Sequence, residues 1–220
     1  TLVTPPILKS CSDTMTPQGI VALVNIPNLS PPSHDPGKRK PLYLVLDGVS
    51  DPGNVGTLLR SSLAVGVAGV ILLPECCDVW NPKAVRSGMG ASFQIPILEV
   101  DSWDEAIETM TKEWNVKRIY AATMMEDDAA NGKTRKVSQP YYNIDWLEYP
   151  SALVIGSEGN GLSPTVRKAL QESPGNADTQ VLAVHVPMQA GIESLNAAIC
   201  GSVIMFEYLR QCEHTRKDLS

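Results

Sequence analysis

The residue types most suited to chemistry occur in the run Gly156-Ser157-Glu158-Gly159-Asn160-Gly161, where one carboxylate sits among three glycines. Glycine lets a backbone approach a ligand closely and take positive φ, so this run could cradle a ligand beside Glu158. Two further loops carry polar groups at short spacing. One is Asp51-Pro-Gly-Asn-Val-Gly-Thr-Leu-Leu-Arg60, which holds Asn54 and Arg60. The other is Val186-Pro-Met-Gln-Ala-Gly-Ile-Glu-Ser-Leu-Asn196, which holds Met188, Ser194, Leu195 and Asn196. Several chemistries are excluded by the same reading. The glycine run is G-x-x-G-x-G rather than the dinucleotide G-x-G-x-x-G, and no Gly-Lys-Ser/Thr follows it. His185 has no hydrolase-type Ser or Cys neighbour and is expected to be a satisfied core residue. The five cysteines include no C-x-x-C pair, so no metal site is expected and Cys76 and Cys77 read as buried, reduced thiols.

Each loop needs a strand before it and a helix after it. Ala152–Ile155 is an apolar run of strand type, and Ser163-Pro164 starts a helix that ends near Gln171, with Ser163 as cap. Leu42–Leu46, Val70–Leu73, Arg118–Thr123 and Val181–Val186 read as further strands. Asp51–Asn54 reads as a turn before helical spacing over Val55–Val67, and residues 82–89 as a short helix. Trp103–Trp114 reads as an amphipathic helix, and residues 126–148 as a polar excursion. The longest helix is expected over 193–211, with Leu195, Ile199, Val203, Phe206 and Leu209 on its core face. Its further apolar residues Ile204, Met205 and Phe206 are expected to pack partly on a second copy. Alternation of strands and helices predicts an α/β domain with a mainly parallel sheet and flanking helices. Ligands then bind at the carboxyl ends of the strands.

The composition is that of an ordinary globular chain of 220 residues, and no apolar run reaches the ~18 residues of a membrane helix. A net charge of −6 argues against a general nucleic-acid glue, because such affinity comes from basic side chains on phosphates. A local basic patch remains compatible with that charge. Residues 27–41 are rich in Pro and polar types and read as an exposed linker, with Lys38-Arg39-Lys40 solvated.

In order and spacing, the three loops resemble the three signature motifs of the SpoU (TrmH-type) branch of the SPOUT superfamily, over residues 42–211. These are S-adenosylmethionine-dependent RNA ribose 2′-O-methyltransferases. The resemblance implies a deep trefoil knot in the C-terminal part of the sheet, a cofactor pocket made by the knot loops, and a homodimer without metal. It implies S-adenosylmethionine contacts from Thr123, Gly156, Val186, Met188 and Leu195. It implies catalytic roles for Arg60, Asn54, Glu158, Ser194 and Asn196. Residues 75–90 most resemble members acting on large-subunit ribosomal RNA, including organellar ones. Residues 1–24 resemble the tail of an N-terminal RNA-binding domain, residues 25–41 its linker, and residues 42–220 the catalytic domain.

A guanidinium scarcely deprotonates, so Arg60 is better suited to hold a phosphate and stabilise a forming alkoxide than to act as base. Glu158 would pair with Arg60 or orient the hydroxyl, and Asn54 would pin loops or orient Arg60. Two other readings stand beside ribosomal RNA methylation: a tRNA 2′-O-methyltransferase, or a non-catalytic RNA-binding protein of ribosome assembly with the same fold. A dehydrogenase is a distant third. The expected setting is intracellular, with a mitochondrion or chloroplast in view if a transit peptide precedes this chain, and the cytoplasm or nucleus otherwise.

Overall fold

The computed structural model describes residues 1–12, 14–31, 39–124, 138–173, 178–192 and 194–217. Among the described residues, seven parallel strands form one sheet in the order β3-β2-β1-β6-β4-β7-β5. They are β1 (Leu42–Asp47), β2 (Val70–Leu72), β3 (Ile97–Glu99), β4 (Arg118–Ala122), β5 (Gln139–Pro140), β6 (Ser151–Gly156) and β7 (Gln180–His185). The helices are α1 (Pro5–Ser10), α2 (Pro52–Val65), α3 (Pro82–Ser87), α4 (Trp103–Glu108), α5 (Pro164–Glu172) and α6 (Ala197–Lys217).

All six residues of β1 are buried, because helices cover both faces of the sheet. Alternate side chains go to opposite faces. Leu42, Leu44 and Leu46 pack with Leu58 of α2 and Tyr208 of α6. Tyr43 and Val45 pack with Trp103 of α4 and Val166 and Leu170 of α5. The result is a three-layer α/β/α sandwich. The order of strands reverses at the β1–β6 pair, which places a ligand crevice at their carboxyl ends.

Several expectations are corrected. Asp51–Asn54 is not a free turn. Asp51 caps α2 by accepting from the Asn54 N–H at 2.9 Å, and Asn54 already lies in the first helical turn. The helix expected over 103–114 is α4 followed by a π-helical turn, Thr109–Glu113. The edge strands β3 and β5 were not foreseen. Residues 125–137 of the expected polar excursion lie outside the described residues, and so does Glu193. The longest helix starts at Ala197 rather than 193, and its phase is reversed. Ala197, Ala198, Gly201, Ile204, Met205 and Tyr208 face the core, while Ile199 and Phe206 are 54% and 48% exposed. The cause is close packing. A Cβ on Gly201 would stand 2.5 Å from a Leu58 methyl, so the face of α6 that carries Gly201 must lie against α2, and Ile204, Met205 and Tyr208 on that same face are buried with it. Arg39 is exposed, as expected of the linker, but its guanidinium is anchored to the fold. It donates to the Gly66 carbonyl at 3.0 Å and lies over the Tyr208 ring at 5.4 Å.

Candidate active site

The loop after β6 is held closed by its own backbone. Ser157 N–H donates to the Gly161 carbonyl and Gly161 N–H to the Ser157 carbonyl, both at 2.9 Å. Of its three glycines only Gly161 has positive φ, at 67°. Ser163 then caps α5 through its hydroxyl, as expected. Its own N–H donates to Asp47 Oδ2 at 2.6 Å, which ties the loop to the end of β1. Burial pushes the Asp47 carboxyl above its usual range, and the Ser163 bonds offset only part of that.

Three side chains from the three loops meet above this frame. Glu158 Oε2 accepts from Asn54 Nδ2 at 3.0 Å and from Asn196 Nδ2 at 3.2 Å. Asn196 Nδ2 also donates to Asn54 Oδ1 at 3.0 Å. Asn196 Oδ1 meanwhile accepts from the N–H groups of Ala198 and Ile199, at 3.0 and 3.2 Å, and so caps α6. The one residue therefore orients the carboxylate and starts the longest helix. The expected Glu158–Arg60 pair is absent among the described residues, and two neutral amides take its place. Arg60 is exposed on α2, one and a half turns beyond Asn54, and forms no hydrogen bond or ion pair among the described residues.

Two cavities flank Glu158. The first, of about 290 Å³, lies over the ends of β4, β6 and β7. It is lined by Thr123, Gly156, Val186, Met188 and Leu195, together with Glu158, Ser194, Ile155, His185 and Cys200. All five residues expected around the cofactor thus line one cavity, as does Ser194. Burial pushes the Cys200 thiol up to about 11, so it forms a neutral wall. His185 departs from its expected role. Its Nδ1 is buried and has no hydrogen-bond partner among the described residues. No periodicity marks such a residue, and only its place one before Val186 pointed to the cavity. The second cavity is a groove of about 1030 Å³ lined by the charged or polar residues Asp47, Asp51, Asn54, Glu75, Asp101 and Arg167 among others. Ser157, Glu158 and Gly161 border both. No cluster of metal-ligating side chains occurs among the described residues.

Gly156 has a different use from simple ligand clearance. A Cβ there would stand 2.4 Å from the Gly161 carbonyl carbon and 2.6 Å from the Leu162 nitrogen, so the protein itself fills that space. Gly156→Val is therefore expected to distort the loop and lower stability by roughly 3 kcal/mol, the upper part of the usual overpacking range. Ligand affinity and the urea midpoint should fall together. Lost affinity at an unchanged midpoint would show that Gly156 touches the ligand directly.

Known proteins resemble this chain over most of its length. The family model described as "SpoU rRNA Methylase family" matches residues 41–206. A mouse protein named rRNA methyltransferase 3, mitochondrial, is 31% identical over 246 residues, covering 97% of this chain and 57% of that protein. The 23S rRNA (uridine(2479)-2′-O)-methyltransferase of Streptomyces viridochromogenes is 30% identical over 195 residues, covering 89% of this chain and 61% of that protein. The crystal structure of the SpoU methyltransferase AviRb from the same organism, in complex with AdoMet, superposes with a TM-score of 0.64 at 27% identity. It covers 81% of this chain and 63% of that one. The chain thus spans little more than half the length of its mouse relative. With the family match reaching from the strand before the first loop to the helix after the third, the chain belongs to the SpoU rRNA methylase family.

Proposed function

We propose that this chain is the catalytic part of an S-adenosylmethionine-dependent ribose 2′-O-methyltransferase acting on ribosomal RNA. The observation that carries this reading is the Asn54–Glu158–Asn196 cluster set between the two cavities. Relatives named ribosomal RNA methyltransferases, one of them 2′-O-specific, support it. The tRNA reading draws on a Synechocystis relative, 32% identical, whose name covers both tRNA and rRNA methyltransferases, whereas the mouse and Streptomyces relatives are named for ribosomal RNA alone. The intact Asn54–Glu158–Asn196 cluster weighs against a non-catalytic assembly protein.

The first cavity fits the cofactor. Ile155, Val186 and Leu195 offer an apolar wall for a purine, strand-end backbone groups offer polar contacts, and one buried imidazole nitrogen has its hydrogen-bonding capacity unused. When bound there, S-adenosylmethionine supplies a methyl group on a sulfonium. Thr123, Gly156, Val186, Met188 and Leu195 would hold it. The acceptor ribose would reach Glu158 from the groove side. Two amides fix Oε2, while Oε1 makes no hydrogen bond among the described residues. Oε1 can therefore accept the ribose hydroxyl's hydrogen bond and make that oxygen more nucleophilic. Ser194, at the cavity rim, would help position the acceptor. Arg60, unpaired among the described residues but outside both cavities, would hold a phosphate of the bound RNA.

Assembly, boundaries and setting belong to the same reading. A homodimer is supported by the exposed apolar residues Ile199 and Phe206 on α6 and Leu63 on α2. Light scattering at micromolar concentration should give twice the monomer mass, and a lone monomer would refute the dimer. A trefoil-knotted path would fit the meeting of the carboxyl ends of β4, β6 and β7 at one cavity. Residues 1–24 would be the tail of an RNA-binding domain and 25–41 the linker to the catalytic domain at 42–220. Relatives named mitochondrial favour an organellar setting over the cytoplasm or nucleus. The functional test is a map of 2′-O-methyl groups in RNA from cells lacking the protein. One ribosomal RNA position should lose its methyl group, and an unchanged map would leave the non-catalytic reading.

A further inference from the structure

His185 is a polar side chain in the cavity wall to which nothing above gives a role. It ends β7, between the buried Val184 and the cavity-lining Val186. Its Nδ1 is buried and unpartnered among the described residues. Buried polar atoms are nearly always hydrogen-bonded, so one with no partner among the described residues is a candidate to bond a ligand. The cavity is where that partner can come from, since His185 is part of its lining.

The strand order decides which part of a ligand it would meet. The sequence β6-β4-β7 sets β7 two strands from β6, so about 10 Å separates the strand end carrying His185 from the one leading to Glu158. Charge orients the ligand along that line. The Glu158 carboxylate favours the cationic sulfonium end of S-adenosylmethionine, and transfer to an acceptor beside Glu158 needs the methyl group there. The uncharged nucleoside half then lies toward β4 and β7. At that end stand Thr123, the residue after β4, and His185. A nucleoside offers hydroxyl and amino donors and ring-nitrogen acceptors, any of which can satisfy an imidazole nitrogen.

We propose that His185 is a ligand-binding residue that gives its Nδ1 to the nucleoside half of the cofactor, and that this nitrogen stays unpartnered until the cofactor binds. The proposal rests on the S-adenosylmethionine reading of the cavity. A residue kept for a ligand at the expense of the free fold has a signature that a packing residue lacks. Its apolar replacement binds worse without melting earlier.

Calorimetry would measure S-adenosylhomocysteine and 5′-methylthioadenosine, which lacks the amino-acid half, against wild type, His185→Leu, His185→Asn and His185→Gln. Thermal melting of each ligand-free protein would accompany it. His185→Leu should melt no lower than wild type and bind both ligands at least tenfold more weakly. Asparagine places an amide near the position of Nδ1, whereas glutamine places one near Nε2. His185→Asn should therefore recover most of the affinity and His185→Gln should not. Equal affinity of wild type and His185→Leu overturns the proposal. A loss confined to S-adenosylhomocysteine also overturns it, because the contact would then lie on the amino-acid half. If His185→Leu does not fold, equal affinities of the Asn and Gln variants overturn it. Wild type that binds neither ligand sinks the cofactor reading itself, an outcome distinct from all of these.

Discussion

Glu158→Gln is expected to slow methyl transfer by about a hundredfold while leaving S-adenosylhomocysteine affinity within roughly threefold. The first figure is the lower end of what one positioned acid–base group contributes. Glutamine keeps the size of the side chain, and its amide oxygen can still accept from Asn54 and Asn196. What it cannot do is present a second acceptor to the ribose hydroxyl, because its other terminal atom is a donor. Steady-state rates on ribosomal RNA, with calorimetry on the same preparations, separate the two effects. An unchanged rate would reduce Glu158 to a clamp between the first and third loops.

Asn196→Asp is expected to be as damaging to the reaction but harmless to the fold. Aspartate can still accept from the Ala198 and Ile199 N–H groups, and it is a favoured helix cap near the positive end of the helix dipole. The melting temperature should stay within about two degrees of wild type, since little helix stability changes. The other oxygen, however, replaces the amide that donates to Glu158 Oε2 at 3.2 Å. Two carboxylates then face each other, which raises the proton affinity of one and turns Glu158 from its place. Methyl transfer should fall about a hundredfold or more, the scale of losing one positioned group. Asn196→Ala, by contrast, should also lose about 1 kcal/mol of stability with the cap. Urea denaturation of the two variants distinguishes cap from orienter. Full activity in Asn196→Asp would show that the amide bridge does not matter.

The sequence made the central strands legible because they are buried on both faces and read as unbroken apolar runs. Leu42–Leu46 and Ala152–Ile155 are examples. It hid β3, three residues long and mostly exposed, and β5, which is Gln139-Pro140 with no apolar residue before the proline. Neither carries periodicity. Helix α6 was found but misphased. The apolar stripe through Ile199 and Phe206 suggests a core face, whereas close packing of Gly201 on Leu58 and Ile155 turns the stripe that also carries Ile204, Met205 and Tyr208 inward. Five cavity-lining residues were identifiable from the motifs, and so was the meeting of Asn54, Glu158 and Asn196 near one place. Their hydrogen-bond pattern was not. Pairing Glu158 with Arg60 followed opposite charge, but Arg60 lies outside both cavities on another face of α2. His185 was misread because an unsatisfied buried nitrogen is visible only in three dimensions.

The central claim is that Glu158 and its two amides direct a methyl group onto a ribose hydroxyl of ribosomal RNA. It is tested most directly by incubating the protein with ribosomal RNA and S-adenosylmethionine carrying a tritiated methyl group, then hydrolysing the RNA in alkali. Alkaline cleavage needs a free 2′-hydroxyl, so a ribose-methylated position survives as a dinucleotide. The account predicts that tritium appears in one alkali-stable dinucleotide, and that the signal drops about a hundredfold with Glu158→Gln. Tritium recovered only in mononucleotides would place the methyl group on a base, and no incorporation by protein that binds both S-adenosylhomocysteine and the ribosomal RNA would mean the chain is not a methyltransferase. Either result would contradict the account.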